Sequence, residues 1–178
     1  MPHRAATRGP GHGSSDLASA LPKTKPIPDG YHTVTPHLIV RGLPESIAFY
    51  QRAFGAEQRM LVPGPDGAPM HGEIRIGDSS VMLAAENEKW GSKSPLTLGA
   101  TPVVLSLYVE NCDASFERAV KAGAKPILPP TDMFWGDRYA QVSDPSGHTW
   151  SIAHHMEDLT PEQISANMKK QFGAGSCG

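Results

Sequence analysis

Shifted by 69 residues, the sequence matches itself: Val40 falls on Val109, Ser46 on Ser115, Ala53 on Ala122, and SVMLA (80–84) on TWSIA (149–153). A repeat of this length is one supersecondary unit, too small to bury its own apolar face, so two copies must share a core. Each copy opens on a β-rich run, HLIV or VVLSLYV, followed by a helix. The first helix, PESIAFYQRAF, starts at Pro44, repeats apolar residues at Ile47, Tyr50 and Phe54, and stops at Gly55. The second, CDASFERAVKA, sets Cys112, Phe116, Ala119 and Val120 on one face and stops at Gly123. Strands are expected near 33–41, 57–62, 69–77 and 79–86, and again near 102–110, 125–129, 137–144 and 148–154. The chain therefore reads as two β-α-β-β-β modules, about 31–100 and 101–156, in an α+β domain.

The flanks differ in kind. Residues 1–30 are rich in Gly, Pro, Ser and Lys and lack apolar periodicity, so they are expected to form a disordered arm. Residues 157–178 hold a short helix and a flexible tail, FGAGSCG. TPEQ at 160–163 supplies a hydroxyl N-cap, a first-turn proline and a glutamine at the capping-box position.

With 16 Lys+Arg against 18 Asp+Glu, the net charge of -2 leaves no concentrated basic face, so nucleic acid is not an expected partner. No run approaches the ~20 apolar residues that cross a bilayer, and the N-terminus lacks the apolar core of a secretory signal. The expectation is a cytoplasmic protein without membrane contact. Two cysteines, Cys112 and Cys177, build neither a disulfide framework nor a zinc knuckle. Hydrolase elbows and phosphate-cradling glycine loops are absent from the sequence.

TPHLIVRGLPESIAFYQRAFGAE, HGEIRIGDSSVMLA, LSLYVENCDASFERAVKAGA and MFWGDRYAQVSDPSGHTWSIAHH together resemble the vicinal oxygen chelate superfamily of glyoxalases, bleomycin and fosfomycin resistance proteins and extradiol dioxygenases. FWGDRY, DPSGHTWSIA and EDLTPE are most similar to its PhnB-like branch. The resemblance spans about residues 33–165. It implies paired βαβββ modules curled into an open, cup-shaped half-barrel, and often a homodimer. In metal-dependent members, the first and last strand of each module supply the ligands of a divalent ion.

Placed on this chain, those ligand positions fall on Thr35, Met82, Val104 and Ser151, none of which is His, Asp or Glu. Such a set does not hold a divalent metal at useful affinity. No cofactor is therefore expected, and the family's usual metal centre is expected to be missing. A divalent metal stays open through a displaced site: His37 shares strand parity with Thr35, and His71 and Glu73 share parity on HGEIRIG, giving two histidines and a carboxylate. Otherwise His37 and His71 line a polar cavity and Glu73 pairs with a nearby cation such as Arg75 or Arg138. Ser106, Tyr108 and Ser151 share the cup-facing parity of the second module, and Trp135 and Arg138 are expected at the cup mouth, suited to an anionic or aromatic ligand. His148 reads as a turn residue, Trp150 as facing the helix, and Trp90 as part of a loop over the site or of a dimer contact. The readings that follow are a metal-independent protein binding a small organic ligand, a metal-dependent lyase, isomerase or dioxygenase, or a structural dimer.

Overall fold

A computed structural model describes residues 24–173. Most of the expected arm, the tail from residue 174 and Cys177 lie outside the described residues. The two modules are present: β1 (His37–Val40), α1 (Leu43–Phe54), β2 (Glu57–Pro63), β3 (Pro69–Ile76) and β4 (Ser79–Ala85), then β5 (Val104–Tyr108), α3 (Cys112–Ala122), β6 (Lys125–Asp132), β7 (Asp137–Ser143) and β8 (Thr149–His155). Each forms a four-stranded mixed sheet with the same order, β1-β4-β3-β2 and β5-β8-β7-β6. A four-residue helix, α2 (Pro95–Leu98), joins them, and α4 (Pro161–Phe172) follows. Thr160 and Gln163 form the capping box of α4.

The start of β1 and the end of β6 depart from expectation, and both involve proline. β1 begins only at His37 because Pro36 has no N–H to donate and the Thr35 hydroxyl turns back to the carbonyl of His32. β6 runs three residues further than expected despite Pro126, Pro129 and Pro130, because it is an edge strand with irregular register and needs few of its own donors.

Helices α1 and α3 pack on each other and on one face of the sheets. Side chains alternate on each strand, so Leu38, Val40, Ile74, Val81, Leu83, Ala140, Val142, Trp150 and Ile152 enter this core and their neighbours occupy the opposite, helix-free face. Trp150, 2% exposed, lies across the module boundary with its ring centroid 4.9 Å from that of Phe54 and 5.6 Å from that of Tyr50. Cys112 is buried beside it in the core and donates to the carbonyl of Ile152; burial pushes its thiol up to about 11, which keeps it protonated and unreactive.

The Asp-Pro-Ser-Gly turn is a joint between modules. Asp144 Oδ1 accepts from the Ser146 and His148 amides at 2.9 Å, while Oδ2 accepts from Tyr50 at 2.6 Å and Trp150 Nε1 at 3.0 Å. Ser146 Oγ accepts from the Arg41 amide, and His148 Nε2 meets the carbonyl of Ile39 at 2.9 Å. His148 thus secures the edge of the other module's sheet as well as its own turn.

The loop after β4 is tied by one carboxylate. Glu86 accepts from the Ser94 amide and hydroxyl and from Thr97 Oγ1, and pairs with Arg41; these bonds, that of Thr97 foremost, hold its pKa down to about 2. A carboxylate depressed in the folded state stabilises above its unfolded pKa and loses that contribution as the pH falls toward its folded one. Glu86→Ala is expected to cost about 1–2 kcal/mol at neutral pH. Thermal melts should show the gap to the wild type closing between about pH 5 and pH 2; a gap constant over that window would mean the carboxylate is not what ties the loop.

Candidate functional site

On the helix-free face of the first sheet, parallel pairing of β1 with β4 sets His37 opposite Met82, and antiparallel pairing of β4 with β3 sets Met82 opposite Glu73. The next row is Ile39, Ala84 and His71. His71 Nε2 is 3.5 Å from Glu73 Oε1, and its ring meets that of His37 edge-on with centroids 5.7 Å apart. Burial, and then the neighbouring His71, lower the pKa of His37, favouring a neutral imidazole. Glu73 does not pair with Arg75 or Arg138: its second oxygen, Oε2, accepts from the hydroxyl of Tyr31. The three residues expected on this face therefore do come together.

The equivalent row of the second sheet is Ser106, Ser151 and Gln141, with Ser151 Oγ donating to Ser106 Oγ at 2.9 Å. Beyond it Tyr108, Ala153 and Tyr139 form a row, followed by His155 and Asp137. Asp137 is 4% exposed, and its carboxylate accepts from Tyr108 and Trp135 at 3.1 Å and faces His155 Nδ1 at 2.8 Å. The Asp137 bond raises the pKa of Tyr108, and Asp137 together with Asp158 raises that of His155. Trp135 also packs edge-on against Tyr139 at 5.4 Å. Arg138 is turned the other way. Its position shares parity with the buried Ala140 and Val142, and its guanidinium pairs with Asp113 of α3 at 2.7 Å and Asp132 of β6 at 2.9 Å. The rim position expected for Arg138 is therefore not on the helix-free face.

The strand register bears on the metal question. Opposite Met82 and Ser151 stand His37 and Ser106, not Thr35 and Val104; Val104 faces Thr149, and Thr35 lies before β1. The four equivalent positions thus offer one imidazole, one thioether and two hydroxyls. That donor set does not fit a divalent ion held by imidazole and carboxylate. The displaced set of His37, His71 and Glu73 is clustered, yet among the described residues no group of three His, Cys, Asp or Glu is arranged to hold a metal ion.

Two concavities adjoin these faces. One of about 730 Å³ lies between the modules, lined by Val34, Pro36, Ser106, Tyr108, Ser115 and Arg118 among others. Another of about 530 Å³ lies at the end of the first sheet, beneath Met70, Ala84, Lys89 and the 70%-exposed Trp90. Asp137 and Tyr139 are picked out by the sequence beside Trp135, whereas Tyr31 and Gln141 are not. Strict alternation along DRYAQVS already sets Asp137, Tyr139 and Gln141 on one face, whereas nothing local marks Tyr31 except an aromatic closing a Pro/Gly-rich stretch.

Among the described residues no helix is long and apolar enough to cross a membrane. The chain is 41% identical over 141 residues to uncharacterized proteins of Mycobacterium bovis and Mycobacterium tuberculosis, covering 78% of this chain and 93% and 83% of those relatives. Its fold is shared with TioX from Micromonospora (TM-score 0.55, 24% identity, 72% of this chain and 100% of that one). It is shared also with an Arabidopsis thaliana gene product (TM-score 0.57, 22% identity, 69% and 98%). The fosfomycin resistance protein FosX of Listeria monocytogenes, solved with Mn(II) and sulfate, has the same fold (TM-score 0.55, 18% identity, 74% and 95%). A family model matches residues 30–152, and with the duplicated βαβββ architecture it establishes that the chain belongs to the Glyoxalase/Bleomycin resistance protein/Dioxygenase superfamily.

Proposed function

We propose that this protein binds a small organic ligand on the helix-free faces of its sheets and does so without the divalent metal used elsewhere in the superfamily. The observation that carries the reading is the register: the positions opposite one another on the two sheets hold His37 and Met82, Ser106 and Ser151, groups that hydrogen-bond and pack but do not form a metal's ligand set. His37, His71 and Glu73 serve as polar anchors on one sheet, and Ser106, Tyr108 and Trp135 on the other, with the buried Ser151 acting through its hydrogen bond to Ser106. FWGDRY, DPSGHTWSIA and EDLTPE favour the PhnB-like branch. A cytoplasmic homodimer fits best, because the two sheets of one chain share no strand pairing and leave Val103, Val104 and Tyr108 exposed along the free edge of β5.

Protein purified without chelator is expected to carry far less than one equivalent of metal by elemental analysis and to sediment as a dimer. Stoichiometric metal that disappears in both His37→Ala and Glu73→Ala would instead establish the displaced metal site and a lyase, isomerase or dioxygenase. Ligands found by thermal shift across a metabolite panel should lose binding in the same two variants. A panel without a single shift would leave only a structural dimer.

A further inference from the structure

Tyr31 occupies the first sheet from within the chain. It follows a turn in which its amide donates to the carbonyl of Pro28, and the strap that carries it touches the sheet through the Gly30 carbonyl, which accepts from Ser80 Oγ at 2.6 Å, and through the Tyr31 hydroxyl on Glu73. Little else anchors it: Ile27 is 56% exposed, and the nearby Lys25–Asp29 pair is a surface contact. Glu73, by contrast, belongs to a paired central strand and has only 16% of its side chain exposed. One oxygen of this carboxylate faces the imidazole of His71; the other is met by a phenol. A half-buried carboxylate must be hydrogen-bonded to be tolerated, so whatever displaces the strap must bring a donor of the same kind.

We propose that Tyr31 is a built-in stand-in for the ligand: the first sheet binds a phenolic compound whose hydroxyl takes over the Glu73 bond, and binding requires the 28–31 strap to swing aside. This rests on the ligand-binding reading above and adds to it a ligand class and an autoinhibitory contact. The imidazoles of His37 and His71 provide edges and faces for the incoming ring, as they do for each other at 5.7 Å. Tyr31 is half-buried and outside both sheets, so its replacement leaves the core intact.

The test is a chemical-shift titration of the full chain with 4-methylphenol, the tyrosine side chain as a free molecule, and with toluene as the ring without its hydroxyl. Tyr31→Ala is expected to bind 4-methylphenol roughly tenfold more tightly than the wild type, the equivalent of one hydrogen bond to a charged group. Tyr31→Phe should gain part of that, Tyr31→Ala/Glu73→Gln should lose it, and toluene, which brings no donor for Glu73, should bind each of them far more weakly than 4-methylphenol binds Tyr31→Ala. Equal affinity in the wild type and Tyr31→Ala, or a gain that survives Glu73→Gln, would overturn the proposal. If a panel ligand still depends on His37 and Glu73 in that event, the binding reading stands and only the phenol and the strap fall. If Tyr31→Ala binds neither 4-methylphenol nor any panel compound, both fall.

Discussion

Asp144→Ala is expected to lower the free energy of unfolding by about 4 kcal/mol. The carboxylate is 3% exposed and satisfies four donors at once, two turn amides and the side chains of Tyr50 and Trp150. Removing it strands a phenol and an indole N–H inside the core, and each buried donor left without a partner costs about 1–3 kcal/mol. The desolvated Tyr50 hydroxyl, whose pKa burial and then Asp144 push far up, cannot compensate by ionising. Asp144→Asn keeps the shape and one acceptor oxygen, so it should lose roughly half as much. Urea denaturation gives both values as midpoint shifts at unchanged slope. A loss below about 1 kcal/mol for the alanine variant would mean that the turn is not what joins the modules.

Gly147→Ala follows at about 3 kcal/mol, the sum of conformational strain and a backbone clash. Gly147 sits at φ 88, and a Cβ there would stand 2.6 Å from the amide nitrogen of Leu96 and 3.1 Å from its Cα. Leu96 cannot retreat cheaply, because its amide donates to the Ser146 carbonyl at 2.9 Å and fixes α2 against the turn. Gly55→Ala is the matched control. It too has positive φ, 68, but a Cβ meets nothing within 4 Å, so only the left-handed penalty of about 1–2 kcal/mol applies. Equal losses for the two variants would show that the contact with Leu96 yields, and that the modules are less tightly joined than the distances imply.

The features readable in the sequence are those written locally. Pro44 and Gly55 delimit α1 and Gly123 ends α3, and the alternation in SVMLA and TWSIA sets Leu83 and Trp150 into the core. The repeat adds long-range information, since matching registers in the two copies require matching sheets, and the identical strand orders follow. Of the site, period-two alternation along HGEIRIG sets His71 and Glu73 on one face, while His37, on β1, joins them only through the sheet register. Alternation with Ala140 already turns Arg138 away from the mouth, and Asp113, 25 residues earlier, is the partner that holds it there and that no local window contains. The pairing of His37 rather than Thr35 with Met82 depends on where Pro36 lets β1 begin, and that becomes visible only when the strands lie side by side. Tyr31 reaches Glu73 across 42 residues of chain, a contact no window of the sequence contains.

The joint made by α1, α3 and the Asp144 turn lies on the helix side of both sheets, opposite the faces that carry His37, Glu73 and Ser106. If the helix-free faces bind the ligand as proposed, stability and recognition fall to separate sets of side chains. Exchanging His37 for a serine, as its counterpart Ser106 already illustrates, would alter what is recognised while leaving the joint untouched. A substitution on one such face would then change the ligand without drawing on the bonds that hold the two modules together.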